Sequence, residues 1–156
     1  VEARQLGLVL AIVGAGAACG DRNCEVQPLA HEFLGDATLG ANCGYADVPG
    51  VNGSLYFKVK QCLLDSAAAR LTFIGGYNIY ESQYNSRHEY AAVLDAEGNY
   101  EVAAFHQHEA YDPATEPTLI LRCTDLVASA PPPSSDTGYY HDGILCVNAT
   151  SETCTP

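Results

Sequence analysis

Seven cysteines constrain this chain more than any other feature: Cys19, Cys24, Cys43, Cys62, Cys123, Cys146 and Cys154. They are widely spaced and contain no CxxC pair, so neither the zinc-ribbon nor the thioredoxin-like spacing is present. Cysteines spread this way through 156 residues read as disulfide staples formed in an oxidising, extracellular compartment, secreted or at a cell surface. All seven are candidates, and at least two intramolecular bridges are expected. The odd count leaves one thiol free or bonded to another chain, and the connectivity stays open. Two N-glycosylation sequons point to the same compartment, Asn52-Gly53-Ser54 and Asn148-Ala149-Thr150. The Pro- and Ser-rich stretch Ala130 to Ser135 reads as a surface loop suited to O-linked glycans.

Charge narrows the partners. Nineteen acids against seven Lys and Arg give a formal net charge of −12. No basic patch is available to neutralise phosphates, so neither a nucleic acid nor an anionic lipid surface is an expected partner.

Leu6 to Val13 (LGLVLAIV) carries no polar side chain. Read with period two, Leu6, Leu8, Leu10 and Ile12 form a bulky face, and Gly7, Val9, Ala11 and Val13 form a slim one. The stretch is shorter than the ~20 apolar residues of a membrane span. Its β-branched residues, and the Gly and Ala residues that follow, favour a strand over a helix. Residues 1–18 are therefore expected to be an apolar strand and a small-residue linker, Gly14 to Ala18. Residues 19–156 are expected to form one domain. A terminal strand on such a linker can complete its own sheet or that of a neighbouring copy.

Within the body, Cys19 to Cys24 reads as a loop, Glu25 to Leu39 as a strand or short turn, and Gly40 to Gly53 as a loop. Ser54 to Leu64 (SLYFKVKQCLL) alternates like a strand. Leu71 to Ile74 and Tyr77 to Glu81 read as two short strands around Gly75-Gly76. The strongest local pattern is a β-hairpin over Glu89 to Gln107, with Asp95-Ala96-Glu97-Gly98-Asn99 as its turn. Thr118 to Cys123 and Ile144 to Val147 are further strands. Many short strands and no long helix predict an all-β fold, an antiparallel β-sandwich of Ig-like or prealbumin-like type.

Three segments resemble transthyretin-like and Cna-B-like sandwich domains. Gly53-Ser54-Leu55-Tyr56 resembles the start of a strand. Leu94-Asp95-Ala96-Glu97-Gly98-Asn99-Tyr100 resembles their D-x-x-G-x-Y/F hairpin. Pro117 to Cys123 resembles the late strand of transthyretin-like secreted proteins. The resemblance spans roughly Gly53 to Cys123 and implies a prealbumin-type sandwich with a binding or structural role.

Few residues invite chemistry. His106-Gln107-His108 places two imidazoles on one side of a strand, within reach of one ion. Glu109, Asp112, His88 or His141 would have to complete such a set. The spacing is also similar to the first cupin motif, but Glu109 follows His108 directly. Two solvated histidines at a strand end are the expected reading, with no metal and no cofactor. No GxSxG occurs and no histidine adjoins a candidate nucleophile, so no enzyme is expected. Gly14-Ala15-Gly16 lacks the third glycine of a dinucleotide fingerprint. Ten tyrosines, among them Tyr77, Tyr80, Tyr84, Tyr90, Tyr139 and Tyr140, suit a binding surface. They suit half-buried strand positions better. A Lys58 or Lys60 to Asn148 isopeptide, as in some Cna-B-like domains, would lock the early and last strands together.

The function expected from these features is that of a structural subunit in an extracellular fibre. Copies would polymerise head to tail, each donating Leu6, Leu8, Leu10 and Ile12 to its neighbour. The alternative is a monomeric secreted module that binds a glycan or another small ligand. A small metal-dependent enzyme using His106 and His108 is the third reading.

Overall fold

The computed structural model describes residues 23–49, 53–81, 84–108, 116–129 and 142–156. In chain order these form helix α1 (Val26–Leu34), strand β1 (Ala41–Val48), helix α2 (Ser54–Ala68), and strands β2 (Phe73–Glu81), β3 (Tyr84–Leu94) and β4 (Tyr100–His108). The remaining strands are β5 (Thr118–Cys123), β6 (Asp125–Ala128), β7 (Ile144–Val147) and β8 (Thr150–Cys154). Six strands make one open sheet in the order β1-β2-β3-β4-β5-β8, and β6 and β7 pair as a separate ribbon. All neighbours in the sheet are antiparallel except β1 and β2, which run parallel with α2 as their crossover.

The chain is β-rich and disulfide-stapled, as the sequence leads one to expect. The expected antiparallel sandwich is not what the described residues form. Their large sheet faces helices: α1 lies over β3 and β4 on one side, while α2 and the small ribbon cover the other.

The local reasons lie in the side chains. Val26, Leu29, Ala30 and Leu34 recur at helical spacing and are the buried residues of α1. Each buried aliphatic chain among them contributes about 1.5–3 kcal/mol. Gly35 then takes a positive φ of 54°, and its N–H bonds the carbonyl of His31. The segment read as a strand or turn from Glu25 is therefore mostly helix.

Ser54 to Leu64 is helix as well, not strand. Tyr56, Val59, Leu63, Ser66 and Ala67 are its buried residues, three to four apart, and they outweigh the shorter alternating pattern. The transthyretin-like reading placed a strand start at Gly53 to Tyr56, where the helix begins.

The expected loop from Gly40 contains β1, an edge strand. Its register shifts between Asn42 and Gly44, where Gly44 has φ 73°. Gly75 and Gly76 do not separate two strands but lie inside β2. A Cβ on Gly75 would fall 2.6 Å from the Cβ of Cys43, and one on Gly76 would fall 2.2 Å from the carbonyl oxygen of His88. These glycines let the neighbouring strands close in.

The β3–β4 hairpin, β5 and β7 stand where the sequence places them. Leu94 pairs with Tyr100. The turn between them is held by Asp95, which accepts from the Asn99 backbone N–H at 2.7 Å and from its side chain at 2.8 Å.

Three disulfides hold the layers together. Cys24–Cys154 ties the start of α1 to β8, Cys43–Cys62 ties β1 to α2, and Cys123–Cys146 ties β5 to the ribbon. Cys19, the seventh cysteine, lies outside the described residues, as do the whole N-terminal stretch and its linker. No described helix is long and apolar enough to cross a membrane.

Candidate functional site

Register alone lines up a row on the α2 side of the sheet that is polar except for Leu119. Tyr77, His88, His106, Leu119 and Thr153 are successive cross-strand partners from β2 to β8. Side chains two apart share a face, so Ser86 and Tyr90 of β3 flank His88 on the same side. His88 and Tyr90 are buried, as is Tyr77.

Asp142, immediately before the ribbon strand β7, enters this row from above and is 3% exposed. The Tyr77 and Tyr90 hydroxyls both donate to its Oδ2. The Ile144 N–H donates to its Oδ1 at 3.0 Å. The backbone carbonyl of Asp142 accepts from the Tyr56 hydroxyl and, at 3.2 Å, from the Lys60 ammonium, both on α2. One residue thus ties α2, β2, β3 and the ribbon together. Gly143, next to it, takes φ 71°, in the left-handed region that favours glycine.

The imidazoles form a second chain of contacts. His88 Nδ1 lies 2.7 Å from His106 Nδ1, His88 Nε2 lies 3.0 Å from Ser86 Oγ, and His88 Nδ1 lies 3.6 Å from Asp142 Oδ2. Burial pushes both histidines towards the neutral form. His106 falls to about 3, the mutual effect of His88 adding to its burial, and Asp142 opposes the shift. His88 moves down as well, through burial and His108, again against Asp142. Burial acts to raise the Asp142 carboxyl. The neighbouring imidazoles and the two tyrosine hydroxyls nevertheless hold it below the ordinary carboxylate range. The tyrosines are pushed well above theirs, by burial and then by nearby groups including Asp142, and serve as donors. At neutral pH the cluster is one carboxylate among uncharged donors and acceptors.

This cluster forms the polar end of a cavity of about 530 Å³. The rest of the lining is largely apolar and includes Pro117, Leu119, Leu121, Ile144, Leu145 and Ala149. The size is that of an ordinary small-molecule site, and the lining divides into one apolar wall and one hydrogen-bonding end.

The residues singled out from sequence fare unevenly. His106 and His108 share a face of β4 and both line the cavity, but the close partner of His106 is His88 across the ladder. Among the described residues no group of three or more His, Cys, Asp or Glu side chains is arranged to hold a metal ion. Glu109, Asp112 and His141 lie outside the described residues, as do Leu6, Leu8, Leu10, Ile12 and Asn52. Asn148 stands exposed in the turn between β7 and β8 with φ 53°, its side chain donating to Thr124 Oγ1 at 3.3 Å. Lys58 and Lys60 sit on α2 rather than a strand, and Lys60 is engaged with Asp142.

Sequence reasoning missed Ser86, Asp142 and the roles of Tyr77 and Tyr90. Ser86 and His88 lie just before the expected hairpin of Glu89 to Gln107, and the observed arm starts earlier, at Tyr84, which puts both on one face. No family model, curated protein or solved structure matches this chain.

Proposed function

We propose that this protein is a secreted, disulfide-stapled module that binds a small uncharged amphiphile in the cavity between β3–β5, β8 and the ribbon. The observation that carries this reading is the cavity's division into an apolar wall and a buried polar end. The Leu119–Leu121–Ile144 wall suits a short hydrocarbon body. The polar end offers neutral imidazoles and hydroxyls around an ionised Asp142, which disfavours an anionic head and favours an alcohol, phenol or ester. Secretion is supported by three disulfides and by the exposed sequon at Asn148.

Titration with 1-octanol, followed by calorimetry, tests it. Saturable one-to-one binding that is lost when Leu119→Trp fills the cavity is the expected outcome. Absence of saturable binding to the unaltered protein, or equal binding by the folded variant, contradicts it.

Assembly remains a second reading because, among the described residues, the sheet is open with β1 and β8 as its edges. An apolar strand such as Leu6 to Val13, from the same chain or another copy, can pair with such an edge. A chain lacking residues 1–13 that loses any higher-order particle seen with the full chain supports this reading. An unchanged particle size excludes it.

A further inference from the structure

Ser86, His88 and His106 form an unbroken hydrogen-bonded line: Oγ to Nε2 at 3.0 Å, then Nδ1 to Nδ1 at 2.7 Å. The Asp142 carboxylate lies 3.6 Å from His88 Nδ1. An anion beside Nδ1 favours the proton on that nitrogen, so Nε2 faces Ser86 as an acceptor. The Ser86 hydroxyl then donates to Nε2, and all three side chains line the cavity. A hydroxyl on a base, with the base oriented by a third group, is the arrangement of an activated nucleophile. His106 stands in the orienting position, with Asp142 beside it.

We propose that Ser86, His88 and His106 form an acyl-transfer relay that hydrolyses a small uncharged ester held by its acyl chain against Leu119, Leu121 and Ile144. This rests on the cavity being a ligand site, and it names the ligand class as a substrate. Ser86 Oγ bonds to the ester carbonyl carbon while its proton passes to His88 Nε2. The tetrahedral adduct collapses, the carbon–alkoxy bond breaks, and Nε2 gives the proton to the departing alcohol. Water then attacks the acyl-serine, its proton going to Nε2, and the bond to Oγ breaks as Nε2 returns the proton to Ser86. The products are the carboxylic acid and the free enzyme. Ser86 and His88 are the catalytic residues, and His106 and Asp142 are positioning residues. His108 stands opposite Ser86 in the ladder and lines the same cavity.

The full chain is incubated with an alkyl fluorophosphonate and, separately, with p-nitrophenyl butyrate. The expected results are a single covalent adduct that maps to Ser86 and a hydrolysis rate reduced by about 100-fold or more in Ser86→Ala. The rate should rise with pH along a limb centred below the ordinary imidazole value of about 6.5, because His88 is buried. His106→Asn, checked for folding by circular dichroism, should move that limb. No adduct on Ser86 in a protein that still binds 1-octanol overturns the relay and leaves the binding reading intact. Loss of both overturns both. Labelling of Ser86 that is unchanged in His88→Gln also overturns the relay.

Discussion

The two faces of the sheet each bury an acid and treat it in opposite ways. On the α2 side, Asp142 receives two tyrosine hydroxyls and a backbone N–H and stays ionised. On the α1 side, Glu89 is 4% exposed, and among the described residues its Oε2 has no hydrogen-bond partner. It packs over Gly76, where a Cβ would meet that oxygen at 2.6 Å. Burial alone pushes its carboxyl up to about 8, so it is mainly protonated at neutral pH. Depth of burial is similar at the two sites; the supply of donors decides the charge.

The cavities differ in the same manner. The α1-side groove, about 340 Å³, is edged by Glu101 and Arg122. Arg122 stacks on Phe33 and bridges Glu101 at 3.1 Å and Glu152 at 3.5 Å. Its polar rim is already paired with itself. The polar groups of the α2-side cavity are also bonded to one another, but they line its interior beside apolar side chains.

The largest expected effect separates the faces by their staples. Cys24–Cys154 closes 130 residues around the α1 side, and Cys43–Cys62 closes only 19 on the α2 side. Loop entropy assigns about 5 kcal/mol to the first bridge and about 3 to the second. Guanidinium unfolding of the two double Cys→Ser variants checks the order, and a larger loss from the shorter loop would break it.

Next, Asp142→Ala should cost about 3–5 kcal/mol by urea unfolding at pH 7, since buried tyrosine hydroxyls lose their acceptor. A loss under about 1 kcal/mol would mean that Asp142 is no hub.

The faces also oppose each other in pH. Glu89 takes up a proton on folding, so its contribution is greatest below about 4.5 and falls as pH rises to about 8. His106 stays neutral on folding, so its contribution is fully present above 6.5 and is lost as pH falls towards about 3. The two slopes nearly cancel between about 4.5 and 6.5, so stability should be greatest on a broad plateau there and fall on either side. Glu89→Gln should flatten the alkaline fall and gain about 1–2 kcal/mol at pH 7, after the cost of a buried amide. Thermal melts across pH 4–9 read both effects. A peak above pH 8 would contradict the assignment of Glu89.

The smallest effect belongs to the rim. Thr150→Ala removes the sequon at an exposed edge position and should change stability by under about 0.5 kcal/mol. Native material should lose the mass of one glycan. An unchanged mass would show Asn148 to be unmodified.

Legibility followed sequence distance. The hairpin was readable because its turn and both arms are contiguous, and its register alone sets His88 opposite His106. The strand β1 was hidden by glycines that suggest a loop, and α2 by eleven residues that fit period two as well as 3.6. Asp142 could not be read at all. Its partners Tyr56, Tyr77 and Tyr90 lie 86, 65 and 52 residues away, brought together only by tertiary packing.

The most direct test of the contrast is a titration of isotopically labelled protein with 1-octanol, mapped by backbone amide NMR. Shifts should concentrate at His106, Leu119, Leu121 and Ile144 and leave Leu29, Phe33 and Val93 unmoved. Shifts clustered in the α1-side groove, or none that saturate, would contradict the assignment of the polar row as the ligand site.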